Sequence, residues 1–218
     1  MKHFQKNNRL TVENQKIHGQ REFFLKNALN ANGIQANKEQ IHLLLLYAQT
    51  LEKWNKVYQL TSKDSFEEIV HIHFVDCLLL LPHLSKTPFS FLDVGSGAGF
   101  PGMVLAIFRP DCAFFLMDSV FKKIAFLNEL KRVLNLKNVQ TLHTRAENHK
   151  DTFDFVACRA FSSAAMFVEK TQHLLKHQGK WLLLKSASVE NEIAHLNKVK
   201  CKTKTLGASR TLLILEKQ

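Results

Sequence analysis

The chain has 218 residues, 45% apolar and 22% charged, with 8 Gly and 4 Pro, which excludes wholesale disorder and collagen-like or low-complexity classes. Thirty Lys and Arg oppose nineteen Asp and Glu, a formal charge of +11, and residues 91–218 hold nineteen of the basic side chains but eleven of the acidic ones. Such a surface attracts a polyanion, RNA or DNA first, or belongs to a protein that is merely basic.

The opening MKHFQKNNRLTVENQ carries lysines and no apolar stretch, so no secretory signal is expected. No apolar run is long enough for a membrane span. Residues 21–30 read as helix, with Phe23, Phe24, Ala28 and Leu29. Asn37 stands three residues before Gln40, a capping signal, and Ile41, Leu44, Leu45 and Ala48 follow at helical spacing. Ser65 and Glu68 form a second capping box, followed by Ile69, Ile72, Val75 and Leu79, and Pro82 ends that helix. His71, His73 and Asp76 could hold a metal, but no further ligand is evident, so helix packing is the expected role and no metal is expected. Cys77, Cys112, Cys158 and Cys201 show no C-x-x-C spacing and read as reduced thiols of a cytoplasmic protein.

After residue 88 the rhythm becomes strand, helix, strand. Strands are expected over residues 91–94, 113–117, 138–142, 153–158, 181–185 and 211–215. Helices are expected over 102–108, 121–134, 163–175 and 189–196. That alternation implies an α/β fold with a mostly parallel, doubly wound sheet. The expected organisation is a helical N-terminal cap over 1–88 and a core over 89–218, forming one compact unit. The lysines between 198 and 204 read as a solvated sheet edge or as an RNA contact, the latter preferred.

The informative segment is FLDVGSGAGFPG, from Phe91 to Gly102. Gly97, Gly99 and Gly102 satisfy G-x-G-x-x-G between a strand and a helix, where glycine permits positive φ and close approach of a nucleotide. Asp93, two residues before Gly95, would repel a pyrophosphate but not the cationic groups of S-adenosylmethionine. Asp118 ends the next strand, where a carboxylate can accept ribose hydroxyls. A NAD-type oxidoreductase shares the glycine spacing, although no dehydrogenase acid/base pair is evident.

DVGSGAGFPG resembles the cofactor turn of the RsmG/GidB family of 16S ribosomal RNA guanine-N7 methyltransferases. The resemblance extends to WNKVYQLT from Trp54, His73–Asp76, Asp118-Ser119 with Lys122-Lys123, Arg145-Ala146-Glu147, and Arg159-Ala160-Phe161. It covers roughly residues 20–217, with departures at Gln59, Ile72, Cys77, Cys158 and Ser186. The resemblance implies a class I, Rossmann-like, S-adenosylmethionine-dependent methyltransferase. It assigns the cofactor to Gly95, Gly97, Gly99, Phe100, Asp118, Ala146, Glu147 and Arg159, and the substrate to Lys185 and Arg210. The implied acceptor is 16S ribosomal RNA or the small ribosomal subunit, acted on by a cytoplasmic monomer with no membrane partner. Guanine N7 carries a lone pair and no proton, so no catalytic base is expected. A non-catalytic ribosome-assembly factor, or the same cofactor with another acceptor, are the other readings.

Overall fold

The computed structural model describes the backbone of residues 2–159, 163–186, 189, 193, 196, 199–206 and 210–217; the side chains of residues 2–12, 14 and 186 fall outside that description. Two helices open the chain, α1 (Lys2–Ala31) and α2 (Lys38–Tyr58). The Asn37 side chain accepts from Gln40 N–H, and the Gln40 side chain accepts from Asn37 N–H, which closes the expected capping box. Gln59 ends α2 at φ +48, a left-handed position that the Asn of the family pattern tolerates better. Asn55 is buried and binds Thr61 and Asp64, fixing the loop that follows.

The next helical stretch differs from expectation. A short turn α3 (Phe66–Glu68) runs into a π-helix at Ile69–Val75 and then α4 (Asp76–Leu78). The wider π turn rotates the inward stripe. Ile69, Val70, His73, Phe74, Val75, Cys77 and Leu78 are buried, while Ile72 and Leu79, expected inside, are half-buried.

The sheet has seven strands in the order β3-β2-β1-β4-β5-β7-β6. These are β1 (Ser90–Val94), β2 (Ala113–Asp118), β3 (Val139–His143), β4 (Phe153–Arg159), β5 (Leu175–Ser186), β6 (Val199–Leu206) and β7 (Arg210–Lys217). Strands β1 to β5 pair in parallel, and β7 pairs antiparallel with both β5 and β6. Helices α5 (Gly102–Phe108), α6 (Phe121–Val133) and α7 (Ala164–Thr171) connect them. The sequence reading missed β6. It also ran the helix at 163–175 too far, since β5 already begins at Leu175. The helix expected over 189–196 lies mostly outside the described residues.

Alternate residues of β5 serve two cores. Leu182 and Leu184 join α1, α2, α5 and α6 in one apolar cluster, and Trp181 and Leu183 join α7 in the other. The first cluster runs unbroken from Leu25 of α1 to Phe114 of β2, so the N-terminal helices and the sheet share one interior. Each large side chain buried there contributes about 1.5–3 kcal/mol. Cys77, Cys112 and Cys201 are free thiols.

Candidate functional site

The turn after β1 is built from left-handed glycines: Gly95, Gly97 and Gly99 have φ of +72, +56 and +97. Gly95 and Ser96 N–H both donate to the Met117 carbonyl at the end of β2, at 2.8 and 3.0 Å. A side chain at Gly99 is barred, because its Cβ would stand 2.6 Å from Tyr47 Oη. Over Gly95 the space is open, with nothing within 4 Å of a Cβ placed there. A ligand can therefore approach the backbone at Gly95 and not at Gly99.

Beside Gly95 lies a cleft of about 360 Å³, also lined by Asp118, Val120, Lys123, Ala146 and Glu147. It opens at the carboxyl ends of β1, β2 and β3, where open α/β sheets bind ligands. The structure thus brings together four of the expected cofactor residues: Gly95, Asp118, Ala146 and Glu147. Asp118 is 5% exposed. Its Oδ2 accepts from Gly97 N–H (3.0 Å) and lies 3.5 Å from Lys123 Nζ, while Oδ1 accepts from Val120 N–H at 2.9 Å. Asp118 is not the cap residue of α6, because that position is Val120. A carboxylate offers about four acceptor sites, so capacity remains for a ribose. Glu147 is exposed and takes a bond from Lys170 Nζ at 2.5 Å, which holds its carboxyl below the usual range.

Gly97, Gly99, Phe100 and Arg159 are not among the residues lining the cleft. The Phe100 ring is sandwiched between Tyr47 (5.4 Å, 7°) and His73 (4.3 Å, 17°). Tyr47 Oη also donates to the Ala98 carbonyl at 2.6 Å. His73 Nε2 faces the Lys63 carbonyl at 3.1 Å and therefore carries the proton, which leaves Nδ1 a buried acceptor without a partner. Burial, then the Arg159 charge, lowers the His73 pKa to about 3, so the ring is neutral.

Arg159 Nη2 donates to the Ile72 carbonyl (2.8 Å) and lies 4.0 Å from Asp76 Oδ2, with its guanidinium 5.8 Å from the centre of the Phe100 ring. Arg210 Nε donates to the same Asp76 oxygen at 2.7 Å. Asp76 therefore anchors two arginines from different strands. The two expected substrate residues part company. Lys185 is opposite Thr211 and Arg210 is opposite Ser186, so their side chains leave opposite faces of the sheet, and Lys185 is buried. Ala160 and Phe161 lie outside the described residues.

Asp93 also departs from expectation. Its carboxyl is fully buried under the turn, where Oδ2 accepts from Gly102 N–H at 2.9 Å. Burial pushes its pKa up to about 7. Asp93 holds the start of α5 and does not present charge to the cleft, so the electrostatic argument from its position fails on geometry. Tyr47 had only helical periodicity to mark it, and His73 and Asp76 read as packing residues. Among the described residues no group of three or more His, Cys, Asp or Glu is placed to hold a metal ion.

Two observations fit S-adenosylmethionine. One is the open space over Gly95 beside the Asp118 carboxylate. The other is Arg159 Nη1, a buried donor without a partner. Asp93 pairs with Ala157 across β1 and β4, so by register Arg159 stands level with Gly95.

A family model described as rRNA small subunit methyltransferase G matches residues 40–214. A ribosomal RNA small subunit methyltransferase G of Francisella tularensis is 39% identical over 199 residues, covering 89% of this chain and 96% of its own. Its counterpart in Legionella pneumophila is 43% identical over 157 residues, covering 71% and 74%. Among solved structures, a putative S-adenosyl-L-methionine-dependent methyltransferase from Methanococcus maripaludis superposes with a TM-score of 0.59 at 15% identity, covering 78% of this chain and 92% of that one. A ribosomal protein L11 methylase from Lactobacillus delbrueckii gives 0.55 at 14% identity, covering 68% and 80%. At those identities the likeness is one of fold.

Proposed function

The chain belongs to the rRNA small subunit methyltransferase G family, and on that premise we propose that it methylates N7 of a guanine in 16S ribosomal RNA with S-adenosylmethionine. Family membership leaves no support for the NAD-type or non-catalytic readings. The observation that carries the reading is the meeting of Gly95, Asp118, Ala146 and Glu147 in one cleft at the strand ends.

In this reading Gly95 admits the cofactor to the backbone, and the free acceptor capacity of Asp118 takes the ribose hydroxyls. Ala146 and Glu147 flank the adenine, and Arg159 Nη1 takes the carboxylate end. Bound there, S-adenosylmethionine would supply a methyl group on a cationic sulfur to the lone pair of guanine N7. Net charge is conserved and no proton moves, so the protein's task is to align the acceptor. Gly97 and Gly99 shape the turn, and Phe100 is held from behind by Tyr47 and His73. Arg210 serves the RNA side through its place beside Asp76, and Lys185 acts from the opposite face. We place the enzyme in the cytoplasm as a monomer acting on free 16S RNA or the small subunit. Among the described residues no helix is long and apolar enough to cross a membrane.

The test incubates labelled S-adenosylmethionine with 16S RNA, or with small subunits lacking the modification, and identifies the labelled nucleoside. Label as 7-methylguanosine, absent with Asp118→Ala, is the expected result. Label on another base overturns the acceptor assignment.

A further inference from the structure

The last strand of the sheet, β6, carries a feature that the methyltransferase reading leaves unused. Its residues run VKCKTKTL, and its register places Lys200, Lys202 and Lys204 opposite Glu216, Ile214 and Leu212 of β7. Those in turn lie opposite Lys180, Leu182 and Leu184 of β5. Cross-strand partners share a face, so the three lysines stand in a row on the face that buries Leu182, Leu184 and Leu212. They stand beyond the covered part of that face, at its margin, and all three are exposed. Two residues of extended strand repeat about every 6.8 Å, which spaces three cations along one line.

None of the three makes an ion pair among the described residues. The one carboxylate on this face of β5, β6 and β7 is Glu216, and Lys180 holds it at 2.9 Å. Glu216 also feels Lys200 and Lys202, although neither is within ion-pair distance. His83 feels Lys204, and Arg210, at the start of β7, is taken up by Asp76. Lysines on an edge strand can serve simply to prevent pairing with another chain. That role would use either face. Thr203 and Thr205, exposed on the opposite face of β6, are uncharged. The charge is confined to one side.

Strand direction gives the row an orientation. β6 is antiparallel to β7, which is antiparallel to β5, so β6 points the same way as the strands that end at the site. Lys204 is therefore nearest the site edge and Lys200 farthest. Three strand spacings of about 4.8 Å separate β6 from β4, roughly 14 Å, so one RNA segment can span from the carboxyl end of β4 to the row.

We propose that Lys200, Lys202 and Lys204 form a phosphate-binding row for the RNA strand flanking the target guanine. The proposal rests on the rRNA reading above and adds the surface that holds the substrate. The row supplies affinity without sequence selectivity, as phosphate contacts do. It touches neither the cofactor nor the reacting atoms.

The experiment compares the parent with K200Q/K202Q/K204Q and with the charge-conserving K200R/K202R/K204R. It measures binding of a 16S RNA fragment at several salt concentrations, cofactor binding by calorimetry, and methyl-transfer kinetics. Each lost phosphate contact removes about 0.7 from the slope of log affinity against log salt, so the glutamine variant should lose about 2. RNA KM should rise at least about tenfold at low salt, with kcat and cofactor affinity unchanged, and the arginine variant should behave as the parent. An unchanged salt slope overturns the proposal, whether or not the glutamine variant aggregates as an unprotected edge would. A drop in kcat with unchanged RNA KM overturns it as well. A parent that transfers no methyl to 16S RNA refutes the activity reading, and the salt slopes still decide the row.

Discussion

The expected cofactor residues occupy two unlike places. Gly95, Asp118, Ala146 and Glu147 line an open cleft, where solvent and ligand can reach them. Phe100 and Arg159 sit behind the turn in a buried lattice with Tyr47, His73 and Asp76, held by helices from the first eighty residues. The first group is arranged to bind; the second keeps the turn in place, with Arg159 Nη1 left over for the ligand. A change in the cleft should therefore move affinity more than stability, and a change in the lattice should move stability first.

The largest contrast is between the two aspartates. Asp76→Ala strands two partly buried arginines, and removing one partner of a buried ion pair costs about 3–5 kcal/mol. Denaturant unfolding should show a loss at or above the lower end of that range. Asp118→Ala should lower cofactor affinity by at least about tenfold in calorimetry while changing stability by about 1.5–3 kcal/mol, the scale of a hydrogen bond to a charged group. Equal stability losses would erase the distinction.

The lattice should also show in the pH dependence of stability. Asp93 has a folded pKa of about 7, above its ordinary 3.8, so the folded protein holds the extra proton between those values. Its contribution to stability falls with rising pH across that window, by about 1.4 kcal/mol per pH unit. His73, at about 3 against 6.5, works the other way: the unfolded chain holds the proton, and stability rises with pH from about 3 to 6.5. The two slopes cancel between about pH 4 and 6.5. Asp93→Asn should then tilt the stability profile upward with pH in that range, and His73→Gln should tilt it downward. Tilts of the same sign would show that the two groups do not oppose one another.

The smallest effect sharpens the comparison. Tyr47→Phe keeps the ring stack and removes only the bond to Ala98, a loss of about 1–1.5 kcal/mol. Because that carbonyl belongs to the cofactor turn, the KM for S-adenosylmethionine should rise a few-fold with the RNA KM unchanged. A variant altered in stability alone would reduce Tyr47 to packing.

Gly95 and Asp118 were legible because they stand at strand ends, and apolar parallel strands such as 113–117 announce themselves, whereas Ala146 and Glu147 were marked only by the family resemblance. The lattice was not legible, because its partners come from distant sequence. Tyr47 meets Ala98 across fifty-one residues, and Arg159 meets Ile72 across eighty-seven. Asp93 was misjudged because strand alternation tells which face a side chain takes, not whether a helix start lies against it. β6 went unseen because three of its eight residues are exposed lysines and its pairing is with β7 alone. The π turn at Ile69–Val75 has no periodicity of its own to announce it, so an ordinary helical stripe was assigned there.

The Tyr47–Ala98 bond makes the N-terminal helices and the glycine turn share a free energy. Anything that binds only the ordered turn must also favour the docked helices, by about 2.7 kcal/mol at a hundredfold excess over its dissociation constant. Opening of the first helices and departure of the methyl donor are then one linked equilibrium, and by reciprocity an RNA that gripped those helices would tighten the enzyme's hold on its donor.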